Sequence, residues 1–397
     1  MDRNAHPRAR RETGHGAFAG SFEDARQFLD AFFAEVVADQ RSAVSATAKR
    51  SGATKPVGKS KTAPAPKGTK NRAPRDRPMI AKREYARVVD DLNRIEHERR
   101  GTGTLELDTG PLQVTNLGKV FFPESGHTKG DLMRYYVNVA PYILPAVADR
   151  PLVLRRFPNG IEGMAFYQQK APPEAPTSVR VEKVRDEGIT TQDRLIGGDL
   201  ASLLYVIQLG AVSIDPWHSR VSSVSYADYA IIDLDPGPRA TFRRVIDVAR
   251  WVKEVLDELG LHAVPKTSGA SGMHLVMPLG PRVPNDAARM VAELVATTVA
   301  NRHEKEATIT RQVKNRPPAS VYVDFLQNIR GKTVAGVYSV RANTGATVSA
   351  PLAWDEVRSG LDPANFTIDT APARFAKLGD LWAKGMKTPN SLAKLLK

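Results

Sequence analysis

The stretch Tyr229-Ala-Ile-Ile-Asp-Leu-Asp-Pro-Gly237 decides how the rest of the chain is read. Its apolar residues favour a strand, and the period of two puts Ile232 and Leu234 on one face and Asp233 and Asp235 on the other. Pro236-Gly237 ends the strand directly after the second acid. Two carboxylates on one strand face repel each other unless a cation lies between them. Taken alone, such a pair more often decorates a solvated strand than holds a metal, so the reading depends on what surrounds it.

Two further segments supply that context. In Lys266-Thr-Ser-Gly-Ala-Ser-Gly-Met-His-Leu-Val-Met-Pro278, Gly269 and Gly272 lie in a turn of small side chains between two apolar strands. A turn of that kind leaves backbone N–H groups open to phosphate oxygens. His274 alternates out from Met273 and Leu275 and is expected to face what the turn cradles. By itself the segment is more often an ordinary hairpin with a half-buried histidine. In Val321-Tyr-Val-Asp-Phe-Leu-Gln327, Asp324 interrupts a strand and must be exposed, paired or metal-bound. Gly331-Lys332-Thr333 and Tyr338-Ser-Val-Arg341 then supply cations for a triphosphate or template phosphate, unless they are merely surface positions. Three strand acids, a glycine-rich turn, a histidine and late basic residues meet the requirements of two-metal phosphoryl transfer.

Around these segments the pattern from Leu105 onward is dense and globular. Strands are expected at Leu152–Phe157, Ser202–Ile207, Ala230–Leu234, His274–Pro278, Val321–Phe325 and Val334–Val340. Helices are expected at Lys129–Tyr142, Thr241–Leu259 and Asn285–Arg302. Strands and helices interleave without strict alternation, which predicts an α+β fold. Residues 1–104 read as a separate basic extension preceding a catalytic domain at 105–397. It contains an amphipathic helix over Ser21–Val44, a disordered linker over 47–78 and a charge-rich helix from about Ala81 to Arg99. The linker carries ten basic residues against the single acid Asp76, and serves either as a passive spacer or as a grip on nucleic acid.

The 397 residues carry 57 Lys and Arg against 43 Asp and Glu, a net charge of +14, which points to a polyanionic partner such as nucleic acid. Without cysteine the chain has no disulfides, thiolate zinc sites or cysteine nucleophiles. Oxygen or imidazole ligands favour Mg2+ or Mn2+. No apolar run is long enough for a membrane span and the N-terminus lacks a secretory h-region, so a cytoplasmic location, with no membrane partner, is expected.

At this point a resemblance becomes specific. Residues from about Leu105 to Lys397 resemble the polymerase domain of bacterial DNA ligase D, in the archaeo-eukaryotic primase superfamily. The acids of Ile232–Pro236 match that family's first motif, Ser268–His274 its second and Asp324 its third. Asn116-Leu-Gly-Lys119, Thr128-Lys129, Arg155–Gly160, Phe166-Tyr167, Tyr338–Arg341 and Gly379-Asp-Leu-Trp382 match in order. The resemblance implies two packed β-sheets with RRM-like elements, and two Mn2+ or Mg2+ ions held by Asp233, Asp235 and Asp324. It implies contacts to the triphosphate from Ser268, His274 and Arg341. Lys119 and Lys129 would receive the 5′-phosphate of a downstream strand, and Phe166 and Tyr167 would stack on template bases. Asp215 stands where the family usually carries histidine, and Ser271 replaces a residue that can be basic. No ligase or phosphoesterase segment is recognised, so a stand-alone polymerase unit is expected in a bacterial, nucleoid-associated setting. The expected activity is addition of NTPs or dNTPs to a 3′-hydroxyl in gapped or broken DNA during end joining, with primer initiation close behind. Ku and a separate DNA ligase are the candidate partners. The rival is a non-catalytic protein that binds nucleic-acid ends.

Overall fold

The computed structural model describes residues 77–98, 100–185 and 190–392. The helix expected over Ser21–Val44 and nearly all of the linker over 47–78 lie outside the described residues. Helix α1 (Arg77–Glu98) starts a few residues ahead of its expected beginning. Val88, Leu92 and Ile95 recur on one stripe and are buried against α2 (Lys129–Val147) and β1 (Gly103–Leu107). Arg134 of α2 clamps the contact, reaching Glu96 at 2.6 Å and Asp131 at 2.7 Å.

Strand β1 forms a ribbon with β2 (Gly110–Val114), and β3 (Val120–Phe122) forms another with β4 (His127–Thr128). Thr128 caps α2 in a reciprocal capping box with Asp131. The helix runs beyond the expected Tyr142, carrying Pro141 and Pro145 inside it. Strands β5 (Leu152–Arg156), β6 (Phe166–Gln168) and β9 (Ala211–Pro216) make an antiparallel sheet in the order β6-β5-β9. A further ribbon pairs β7 (Val181–Arg185) with β8 (Thr191–Leu195).

The segment expected as a strand at Ser202–Ile207 is helix α3 (Leu200–Gln208). Leu200 to Ile207 are all buried, so the run is buried all round, and periodicity cannot separate a buried strand from a buried helix. Asp199 decides the matter as N-cap, accepting from the Ser202 N–H at 2.7 Å, and Gly210 at φ 88° follows the helix end.

The larger sheet runs β11-β12-β10-β14-β13. Its strands are β10 (Tyr229–Pro236), β11 (Val264–Thr267), β12 (Met273–Pro278), β13 (Ala307–Thr308) and β14 (Val321–Asp324). All pairings are antiparallel except β13 with β14. Helices α4 (Phe242–Glu258) and α5 (Asn285–Arg302) pack on this sheet. Their fully buried Val245, Val252, Val291 and Val295 lie against a face that includes Ile232 and Leu234 of β10. The other face therefore carries Asp233 and Asp235.

Val334–Val340, also expected as a strand, is an irregular buried segment laid along β9. The Gly336 N–H donates to Ile214 O at 2.9 Å, and the Ile214 N–H donates to Ser339 Oγ at 2.6 Å. Tyr338, at φ 67°, prevents a continuous ladder. Its conformation is held by hydrogen bonds from its N–H to Ser349 O and from its hydroxyl to Asp380, at 2.8 and 2.6 Å. Short helices α6 (Ala371–Leu378) and α7 (Leu381–Met386) close the described chain. Trp382 of α7 packs edge-on to Tyr229. The architecture is α+β, as the element order predicts. Among the described residues no helix is long and apolar enough to cross a membrane.

Candidate active site

Strand register brings the acids together. Asp233 of β10 is paired with His274 of β12 on one side and Asp324 of β14 on the other. Lys266 of β11 is paired with His274. Directly opposed residues share a sheet face, so Lys266, His274, Asp233 and Asp324 form one row across four strands. All four are buried: 1%, 3%, 9% and 6% exposed. Asp235 lies two residues beyond Asp233, opposite Tyr322, and is exposed.

Burial raises all three acids, and like charge adds to it at Asp235 and Asp324. Asp233 is pushed up to about 6 by burial, against the pull of Lys266 and Arg341. Asp235 is pushed up to about 7, first by desolvation in the packed protein around it and then by Asp233 and Asp324. Asp324 is raised by burial, opposed by the Leu326 N–H at 2.7 Å and Gln327 Nε2 at 2.8 Å. Asp233 Oδ1 is buried without a hydrogen-bond partner, because His274 Nε2, 3.3 Å away, lies off the line a hydrogen bond requires. Among the described residues no three His, Asp or Glu side chains already close around one point. The donor set nevertheless fits a hard divalent cation: three carboxylates on neighbouring strand positions, one with an orphaned oxygen, each raised in pKa.

The glycine turn is built differently from the sequence expectation. Ser268 Oγ accepts from the N–H groups of Ala270 and Gly272, both at 3.1 Å, so these two donors are already engaged. The glycines are required by close packing as well. A Cβ on Gly272 would lie 2.1 Å from Leu234 O, and one on Gly269 would lie 2.6 Å from Arg341 Cγ. Gly269 O accepts from the Asn343 amide at 3.0 Å and from the Thr347 hydroxyl, anchoring the turn to the segment that carries Arg341. The charge of Arg341 acts on Asp215, Asp233 and Asp235. His274 does not face the turn alone; it is held between Lys266 and Asp233. Lys332 is exposed after Gly331, and it is not among the charges that shift the three acids.

Three participants were not singled out from sequence as parts of the site. Lys266 was visible only as the residue opening the turn segment. Arg316 lies 3.5 Å from the Tyr322 ring centroid and pulls Asp235 down, yet its Pro-rich loop offers no periodic clue. Gln327 follows Asp324 in a one-turn 3-10 helix and binds it. Asp215, noted from sequence as a departure, is raised by burial and has an unpartnered buried Oδ1, with Arg341 the leading opposing charge.

On the smaller sheet, Phe166 and Tyr167 are 42% and 69% exposed. The Arg156 guanidinium lies 4.9 Å from the Phe166 ring and that of Arg155 lies 6.0 Å from the Tyr167 ring. Lys119 Nζ donates to Pro158 O and Asn159 Oδ1 at 2.6 and 2.9 Å. Lys129 is buried and donates to Thr115 O, Gln208 O and Gln208 Oε1 at 2.8–3.0 Å. Burial, then repulsion from Lys119, pushes it down to about 8.

An acid-bearing sheet joined to a glycine turn, beside a smaller sheet with exposed aromatics and arginines, is the architecture of a primase-polymerase domain. Residues 128–382 match the LigD primase-polymerase domain family, and the chain belongs to it. It is 34% identical over 269 residues to the bifunctional non-homologous end joining protein LigD of Bacillus subtilis, covering 68% of this chain and 43% of that protein. The corresponding LigD of Mycolicibacterium smegmatis is 30% identical over 276 residues, covering 68% of this chain and 36% of that protein. The chain thus spans less than half the length of these relatives. Among solved structures, the polymerase domain of Mycobacterium tuberculosis ligase D in complex with DNA is similar, with a TM-score of 0.64 and 31% identity. That match covers 70% of this chain and 99% of the other.

Proposed function

We propose that this protein is a template-directed nucleotidyltransferase that extends a 3′-hydroxyl at gapped or broken DNA ends using NTPs or dNTPs. The observation that carries the reading is the pairing of Asp233 with Asp324 across β10 and β14, with Asp235 on the same face. Asp233, Asp235 and Asp324 would hold two Mg2+ or Mn2+ ions, which when bound neutralise charge on the attacking and leaving oxygens. The remaining contributions come from the chain itself. Arg341, between the turn and the acids, offers a guanidinium to the triphosphate, and Ser268 and the turn shape the space beside it. Phe166 and Tyr167 offer ring faces to unpaired template bases. Lys119, with Lys129 behind it, would receive a downstream 5′-phosphate.

Membership of the LigD family supports DNA as substrate and end joining as the setting, with Ku and a separate ligase as the partners to test. Primer extension on gapped DNA with Mn2+ is the decisive experiment. Template-dependent addition supports the reading; tight binding of DNA ends without any addition would favour a non-catalytic end-binding protein instead.

A further inference from the structure

Strand β14 ends at Asp324, whereas β10 reaches back beyond that point to Tyr229. Asp233 and Asp324 are therefore the last pair of their ladder. Alternation turns the Ile231 N–H and C=O toward the same edge as those of Asp233, where β14 no longer runs. One side chain fills the vacated place. Asn328, 3% exposed, accepts at Oδ1 from the Ile231 N–H, and its Nδ2 donates to Ile231 O and Phe325 O, all at 2.7 Å. An N–H only donates and a carbonyl only accepts, so this amide has one orientation and both its protons are used. The same turn serves Asp324. Its residues Leu326–Asn328 bring the Leu326 N–H to 2.7 Å from Asp324 Oδ1 and Gln327 Nε2 to 2.8 Å from Oδ2. Each oxygen of the carboxylate thus has a donor from a turn that Asn328 fastens to β10.

We propose that Asn328 is a positioning residue that pins the turn after β14 onto β10 and so holds the Asp324 carboxylate, through Leu326 and Gln327, in place opposite Asp233. The end of a ladder is where two strands part most easily, and opposed acids there repel each other. Asn328 closes β10 one step beyond that pair, with a side chain acting as the missing strand. Carboxylates that hold a cation owe their orientation to supporting hydrogen bonds of this kind. The part that concerns a cation rests on the polymerase reading; the closure of β10 does not.

The test uses the full chain with Mn2+ as the probe. Asn328→Leu keeps the shape of the side chain and removes its three hydrogen bonds. Amide hydrogen exchange should quicken at Ile231 and Leu326, while Ile232, whose N–H points to β12, stays protected. Mn2+ affinity, read by paramagnetic resonance titration, should fall about tenfold to a hundredfold, the usual effect of losing such a support, with template-primer affinity unchanged. A folded Asn328→Leu chain with unaltered Mn2+ affinity overturns the proposal, and so does an equal loss of protection at Ile232, which would mean general loosening. If Asn328→Leu does not fold, Gln327→Met decides, since it removes only the last link to Asp324. It should weaken Mn2+ binding with Ile231 still protected; unaltered Mn2+ affinity there overturns the proposal. An unmodified chain that binds no Mn2+ overturns both readings. If Mn2+ affinity responds as expected but the unmodified chain extends no primer, the polymerase reading fails while the role of Asn328 stands.

Discussion

Asp233 and Asp324 face each other across two antiparallel strands, both buried, with like charge and no basic residue between them in the register. Opposed like charges destabilise a sheet unless protons or a cation intervene. That relationship sets what each substitution should do.

Asp233→Ala, Asp235→Ala and Asp324→Ala should each reduce nucleotide addition by at least about a hundredfold, the order found when a group stabilising transition-state charge is removed. DNA affinity should stay nearly constant, because the aromatic and arginine surface on the smaller sheet is untouched. Primer extension and a DNA-binding titration on the same preparations check this. Near-normal extension by the Asp233/Asp235 double variant would refute the assignment.

The raised acids predict a pH dependence. A carboxyl that titrates higher in the folded than in the unfolded state binds protons more readily when folded, so its contribution to stability is largest at low pH. That contribution is lost as pH rises through the folded value. For Asp233 and Asp235 the window runs from about 4 to about 7, with the two steps belonging to the cluster as a whole. Their contribution should therefore fall between about pH 4 and about pH 7, and Asp233→Asn should gain stability relative to the unmodified chain across that range. Mn2+ should raise Tm more at pH 8 than at pH 5.5, since protons must leave before it binds. Thermal melts across pH with and without Mn2+ measure both effects; an equal Mn2+ shift at both pH values would contradict the account.

Gapped DNA with a 5′-phosphate should bind more tightly than the same DNA with a 5′-hydroxyl, and the Lys119→Ala/Lys129→Ala pair should erase the difference. The two lysines should differ in stability. Lys129→Ala takes the ammonium from three acceptors, of which Gln208 Oε1 keeps the Thr115 N–H, and should cost roughly 1–3 kcal/mol, whereas Lys119→Ala is milder. Urea unfolding of the single variants separates the two roles.

Gly272→Ala should destabilise by about 1–3 kcal/mol, because the new methyl group meets the Leu234 carbonyl and the strand must shift. The shift falls next to Asp233 and Asp235, so activity should drop further than stability alone explains. Unchanged melting and activity would show that the turn relaxes freely.

Much of this arrangement can be read from the chain. Asp233 and Asp235 follow from strand alternation, and α4 and α5 from their 3.6-residue spacing. Leu200–Gln208 is misread because all but Ser202 and Gln208 are apolar or aromatic and Leu200 to Ile207 are all buried, leaving no polar face to reveal the period. Val334–Val340 is misread because its apolar residues are buried by neighbouring segments instead of by a strand partner. Lys266 shows the deeper limit. Its place beside the acids exists only through register with His274 and closure by Ala335 and Ser349, and no local pattern records those contacts. The turn glycines are visible, but the reason for them, close approach to Leu234 and Arg341, is a tertiary fact.

Residues 1–104 contain 22 Lys and Arg against 13 Asp and Glu, a net +9. Deletion of residues 1–76 should weaken DNA binding and flatten the slope of log affinity against log salt, by about 0.9 per lost duplex-phosphate contact. Single-turnover addition on saturating DNA should hardly change. An identical slope in the truncated protein would make the basic extension a spacer.

The row from Lys266 to Asp324 draws its members from four strands, two of which, β12 and β14, flank β10 although both follow it in the chain. Such contacts between distant positions form late, because loop closure precedes any reward from the pairing. The acids, His274 and Lys266 should thus acquire their geometry together, in the same event that completes the sheet. On refolding from urea, recovery of nucleotide addition should lag the helical signal of α1 and α2 and coincide with burial of Trp382, which packs on Tyr229 of the sheet.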